Sequence, residues 1–127
     1  MKKIPSTELR AVLRSAWPEA DIRLPDKSYI LPTRHRIWDE LVSSYFEDYT
    51  YQADILDCDD YALLLHAWIR QQQYREQWPN PLAFGEAWSR THALNIVVLD
   101  DKTVRLVEPQ TDGFVAPDDH DIIFIRM

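Results

Sequence analysis

The chain has 127 residues, with 21 acidic against 14 basic side chains, a formal net charge of -7 and a pI near 4.9. That balance excludes sequence-independent binding to a phosphate backbone, which needs clustered lysine and arginine, and Lys2 with Lys3 is too slight a basic start to reverse it. Two glycines exclude Gly-rich phosphate loops and Rossmann fingerprints, and no apolar run approaches the roughly 18 residues of a membrane span.

Pro5 and Ser6 open a short amphipathic helix over Thr7 to Trp17, with Leu9, Val12, Leu13 and Ala16 at helical spacing and Pro18 as its stop. Residues 21–33 read as extended segments and turns, because Ile22 and Leu24 alternate and Tyr29-Ile30-Leu31 lies between Pro25 and Pro32. Ile37, Trp38, Leu41, Val42, Tyr45 and Phe46 recur at three and four residues, which predicts a second helix ending near Asp48. Tyr49 to Asp57 is a polar connection. From about Cys58 to Tyr74 a third helix is apolar around much of its girth, the pattern of a helix central to its domain.

Trp78-Pro79-Asn80-Pro81 breaks that helix, and Leu82 to Arg90 reads as a loop with a turn at Gly85. The period then changes to two. Thr91 to Leu99 and Thr103 to Glu108 are β-branched and apolar, and Asp100-Asp101-Lys102 joins them as an antiparallel hairpin. Asp112-Gly113 marks a further turn, and Ile122 to Ile125 reads as a closing strand. The expected layout is helices first and sheet second, an α+β fold with N-terminal helices packed on a C-terminal antiparallel sheet, formed by one domain over residues 1–127.

Cys58 is the only cysteine, so it can form neither an internal disulfide nor a multi-cysteine metal site. At the first turn of a helix it meets the positive end of the macrodipole and free N–H groups, which favour a thiolate nucleophile. His92 opens the first hairpin strand as a candidate base, and Glu108 closes the second as the acid that orients it. If Asp100, Asp101 and Lys102 form the whole loop, Leu99 faces Thr103 and Leu94 faces Glu108. His92 and Glu108 are then diagonal neighbours on one face, roughly 7–8 Å apart at the backbone. A loop shorter by one residue would put Asn95 opposite Glu108 instead, because a one-residue slip reverses the faces. Gln52, shortly before the thiol, can donate its side-chain amide to an oxyanion.

Asp57, Asp59 and Asp60 crowd the thiol with negative charge, which opposes thiolate formation. A bound calcium ion would resolve the conflict, with Asp59 and Asp60 as the first choice of ligands and Asp57 as a third.

Asp-Cys-Asp-Asp-Tyr-Ala, then His-Ala-Leu-Asn-Ile before a strand, then Leu-Val-Glu-Pro-Gln resembles the papain-like catalytic domain at the C-terminus of the fairy-ring mushroom agglutinin and its bacterial and phage relatives. The likeness spans roughly Gln52 to Gly113. It implies a compact papain-like cysteine hydrolase fold, a calcium-dependent cysteine protease with Cys58 as nucleophile, His92 as base and Glu108 as orienting acid, and a peptide or protein substrate. It also implies that Asp59 and Asp60 help to hold calcium.

Two other readings use the same residues. One is an amidase or acyltransferase of NlpC/P60 or transglutaminase type. The other is a non-catalytic, calcium-stabilised binding module on a degenerate hydrolase scaffold, its acidic surface facing a basic protein. No nucleic-acid or membrane partner is expected. The lack of an apolar leader and the lone thiol point to the cytoplasm. His66, two turns along the third helix, is about 12 Å from the thiol along the axis and reads as structural. His35 reads as surface and His120 as part of an acidic turn. Trp17, Trp38 and Trp68 read as core, whereas Trp78 and Trp88 bracket the loop before His92 and are candidates for shaping a pocket.

Overall fold

The computed structural model describes residues 2–44, 49–111 and 113–127. Strand β1 (Lys2–Pro5) leads into helix α1 (Ser6–Ala16), followed by β2 (Asp21–Arg23), β3 (Ser28–Leu31) and α2 (Arg34–Ser43). After the long helix α3 (Cys58–Arg75) come β4 (Phe84–Trp88), β5 (Ala93–Val98), β6 (Val104–Glu108), β7 (Gly113–Val115) and β8 (Phe124–Arg126). One two-stranded sheet pairs β1 with β3, and a six-stranded sheet runs in the order β2-β8-β4-β5-β6-β7.

The expected separation of helices from sheet is corrected. The N-terminal segment supplies three strands, and β2 joins the large sheet parallel to β8, which makes that sheet mixed instead of antiparallel. The helices also divide between its two faces. Leu9 and Leu13 of α1 share a core with Leu94, Ile96, Val98 and Leu106, whereas Tyr61, Leu65 and Ile69 of α3 share another with Phe84, Val97 and Val107. Strand alternation makes this possible, because even and odd positions of β5 face opposite layers and both are buried. A run apolar on both faces is the mark of a strand between two layers.

The segment read as a loop over Leu82 to Arg90 holds β4, which lies between β8 and β5. Gly85 and Glu86 disguise it, and each has a packing reason. A Cβ at Gly85 would stand 1.9 Å from the Arg126 carbonyl oxygen, so the close approach of β8 admits only glycine. Glu86 is buried against His66, with Oε2 3.0 Å from Nδ1.

The second helix begins earlier than its apolar pattern, at Arg34, where the Thr33 hydroxyl accepts from the Arg36 N–H at 3.1 Å. Its expected end near Asp48 and the Asp112 half of the predicted turn lie outside the described residues. The hairpin register agrees with the loop arithmetic: Val98 pairs with Val104, and Leu99 N–H donates to the Thr103 carbonyl.

Candidate functional site

Helix α3 lies across β4 and β5 in a direction that three contacts fix. The Asn95 amide donates to the Ala62 carbonyl at 2.9 Å, His66 meets Glu86, and the Arg70 guanidinium donates to the Phe84 carbonyl at 3.1 Å. Moving along α3 therefore means moving backwards along β4 and forwards along β5. The helix start at Cys58, the beginning of β5 at His92 and the end of β6 at Glu108 accordingly lie at one end of the large sheet.

At that end the imidazole and the carboxylate are joined: His92 Nε2 is 2.7 Å from Glu108 Oε2, with both side chains half-buried. A turn sets the ring's position, since the His92 carbonyl accepts from the Ser89 backbone N–H at 2.8 Å and the His92 N–H donates to the Ser89 hydroxyl at 3.0 Å. A carboxylate on Nε2 fixes the tautomer and leaves Nδ1 for another partner. The thiol is not tied in. Cys58 is free and half-buried, and among the described residues no hydrogen bond links its sulfur to the His92 ring.

A tight loop delivers the thiol's helix. Gln52 and Leu56 exchange backbone hydrogen bonds of 2.8 and 2.7 Å, with Asp54 in the left-handed region at φ 64°. This places Gln52 beside the residues that enter α3, with its side chain exposed to solvent. Asp57 is the N-cap residue, and its N–H donates to Asp60 Oδ2 at 3.1 Å.

Asp57, Asp59 and Asp60 bring carboxylate oxygens within 4.8 Å of one another. Asp57 Oδ2 accepts weakly from the Asp54 N–H at 3.3 Å, but its Oδ1 is buried with no hydrogen-bond partner. Tyr51 stands beside this cluster, its phenol pushed up from the ordinary value by desolvation and then by the surrounding negative charge, Asp57 foremost.

The two candidate pocket tryptophans separate. Trp78 follows the far end of α3, where its indole donates to Glu76 at 2.6 Å and lies under the Arg36 guanidinium at 4.8 Å. It has no part at the thiol end. Trp88 pairs with Ala93 next to His92 and shares the α3 face with Phe84 and Glu86. It is 39% exposed and packs on Phe124 at 5.4 Å.

Trp38, expected in the core, is 46% exposed and stacks on Phe114 instead. His66 is buried and paired as expected, His35 meets Asp39 at the surface, and the His120 carbonyl accepts from the Trp17 indole. The sequence reading passed over Phe114 and Arg34. Both gain their significance only from the β6–β7 pairing and the early start of α2.

Among the described residues, no helix is long and apolar enough to cross a membrane. The sequence matches no protein-family model and no curated protein. Solved structures do match. A complex of PSL1a with E64 superposes with a TM-score of 0.86 at 23% identity, covering 98% of this chain and 50% of that one. Polyporus squamosus lectin bound to the human-type influenza-binding epitope Neu5Acα2-6Galβ1-4GlcNAc gives a TM-score of 0.84 at 23% identity, covering 98% and 49%.

At that identity the likeness establishes the fold, and the chain spans about half the length of the lectin chains it matches. These lectin matches overturn three expectations. The kinship with the fairy-ring mushroom agglutinin's catalytic domain is replaced by likeness to the Polyporus lectin, the papain-like fold assignment gives way to the mixed-sheet architecture, and the cysteine protease and hydrolase description falls with them, because the structures that match are lectin structures.

Proposed function

We propose that this domain is a binding module, with glycans as its ligand class. The observation that supports the reading is the shared fold: nearly the whole chain superposes on half of a lectin chain. Carbohydrate binding by that lectin belongs to a longer molecule, so the module's own ligand has to be measured on this chain. The surface suits the role. Trp38, Trp88 and Tyr51 are large aromatic side chains left exposed, each offering a flat apolar face beside polar groups. The test is a panel of immobilised glycans. Saturable binding to at least one class, competed by the free sugar, is expected. A folded chain that binds none of them overturns the reading.

One observation favours a second role, namely the 2.7 Å bond that fixes the His92 ring on Glu108 at the end of the sheet toward which α3 begins with Cys58. In this role Cys58 attacks an acyl carbon, and His92 removes the thiol proton and returns it to the leaving group. Glu108 orients the ring, while Gln52 and a backbone N–H at the start of α3 donate to the oxyanion. The acyl group then passes from sulfur to an acceptor. Its signature is rapid alkylation of Cys58 that depends on His92.

Asp57, Asp59 and Asp60 fit calcium, whose hard charge suits carboxylate oxygens, and the buried unpartnered Asp57 Oδ1 supports that fit. When bound, the ion neutralises the acids beside the thiol and pins the helix start. Calcium at about ten times its dissociation constant adds ~1.4 kcal/mol, a rise of roughly 5 °C in Tm. Substituting Asp59 and Asp60 together by asparagine should remove the rise. No shift at millimolar calcium in the unsubstituted protein strikes out the metal.

A further inference from the structure

The flank of α3 that is turned away from β5 looks across a cleft to the end of β8. The cleft measures about 230 Å³ and is bounded by Leu63, Ala67 and Arg70 of α3, by Arg126 of β8 and by Asp26. It begins about 8 Å and ends about 18 Å along the helix axis from Cys58, clear of the thiol end.

His66 and Glu86 also line it, at 8% and 4% exposure, and are joined at 3.0 Å through Nδ1 and Oε2. That bond leaves the imidazole Nε2 and the carboxylate Oε1 without a hydrogen-bond partner among the described residues, and protein seals off neither atom. Polar groups buried so deeply need a partner, and the cleft is where one can enter.

Burial sets Arg70 apart. Its guanidinium donates to Gln73 Oε1 and to the Phe84 carbonyl, each at 3.1 Å, and desolvation pulls it down from its ordinary value. The exposed carboxylate of Asp26 opposes that pull but forms no ion pair with it. The fold thus keeps a desolvated guanidinium and a carboxylate on one cleft without joining them. A divalent cation there would be repelled by Arg70 and Arg126, and a simple anion by Asp26 and Glu86. A ligand carrying one charge of each sign suits both pairs.

We propose that this cleft binds a free α-amino acid with an apolar side chain, its carboxylate on Arg70 and Arg126 and its ammonium on Glu86 and Asp26. A guanidinium fork matches a carboxylate in two hydrogen bonds, and the open Oε1 of Glu86 and Nε2 of His66 can accept from the ammonium. Exposed Leu63 and Ala67 supply the apolar wall. The site is separate from glycan binding and from the thiol, and stands whichever of those roles holds.

Calorimetric titration of the whole chain with L-leucine, L-leucinamide and N-acetyl-L-leucine tests the proposal. The amide lacks the carboxylate and the acetyl derivative lacks the ammonium, so each should bind at least about tenfold more weakly than leucine, the scale of one charge-assisted contact. Arg126→Gln should bring leucine toward the level of leucinamide and leave leucinamide unchanged. Asp26→Asn should bring it toward N-acetylleucine and leave that ligand unchanged. Both side chains are exposed, and a thermal melt checks that the variants fold.

No saturable binding of leucine at tens of millimolar overturns the proposal. Affinity for N-acetylleucine equal to that for leucine marks a plain anion site and overturns it too, as does a preference for leucine that survives both substitutions. A variant that fails the melt leaves the comparison among the three ligands to decide.

Discussion

Asn95 has no exposed surface, and its amide nitrogen donates at 2.9 Å both to the Ala62 carbonyl of α3 and to the Gly85 carbonyl of β4. One side chain thus ties the helix to two strands. Asn95→Ala leaves both carbonyls short of a donor in a dry layer, and urea denaturation should show a loss of about 2–3 kcal/mol. Glu76 offers a pH-dependent test at the other end of α3. The Trp78 indole and then Arg36 hold its carboxyl below the ordinary value of 4.5. A depressed value in the folded state means stabilisation that is present above 4.5 and lost as pH falls through the folded value. Glu76→Gln should therefore lower Tm at neutral pH, and the difference should shrink as both proteins are taken below pH 4.5.

At this scale the His92–Glu108 pair was legible, because loop length fixes register and register fixes which side chains meet. The exposure of Trp38 was not. Helical spacing shows which residues share a face but not what covers that face, and α2 turns Trp38 to the β7 edge instead of the core.

Among the elements, α1 and α3 were readable from their apolar periods, and α3 is central as its girth suggested. Strand β4 was hidden by the two residues that make it work, a glycine where β8 closes in and a glutamate that needs His66. Gly85→Ala should drive a methyl group into the Arg126 carbonyl and lower stability by at least about 3 kcal/mol, read by thermal or urea unfolding. Gly85→Ser should fare no better, since the obstruction is backbone. Strand β1 escaped notice, and β2 and β3 were read only as extended segments without partners, for a different reason. Each has few residues and takes its partner from far along the chain, β2 from β8, so local alternation carries little of their signal.

In the whole molecule, one sheet buried on both faces supports two distinct regions. The end carrying Cys58, His92 and Glu108 is built from a helix start and a hairpin, features with strong sequence signals. The surface of Arg34, Trp38 and Phe114 joins an early helix turn to a late edge strand, and only their assembly in the fold brings the aromatic rings and the cation together. Chemistry-bearing residues were therefore easier to read than an exposed aromatic surface. A histidine or a lone cysteine stands out by type, whereas an exposed tryptophan looks like any core tryptophan until its neighbours are known.

The central claim is that this scaffold is a binding module, and the thiol role proposed for Cys58 is its rival. The alkylation rate of Cys58 by iodoacetamide, compared with that of free cysteine at the same pH and with or without calcium, tests it most directly. The binding-module account predicts a rate no faster than free cysteine, unchanged by His92→Ala. Alkylation about tenfold faster or more, lost in the His92→Ala protein, would show an imidazole-activated nucleophile and contradict the account.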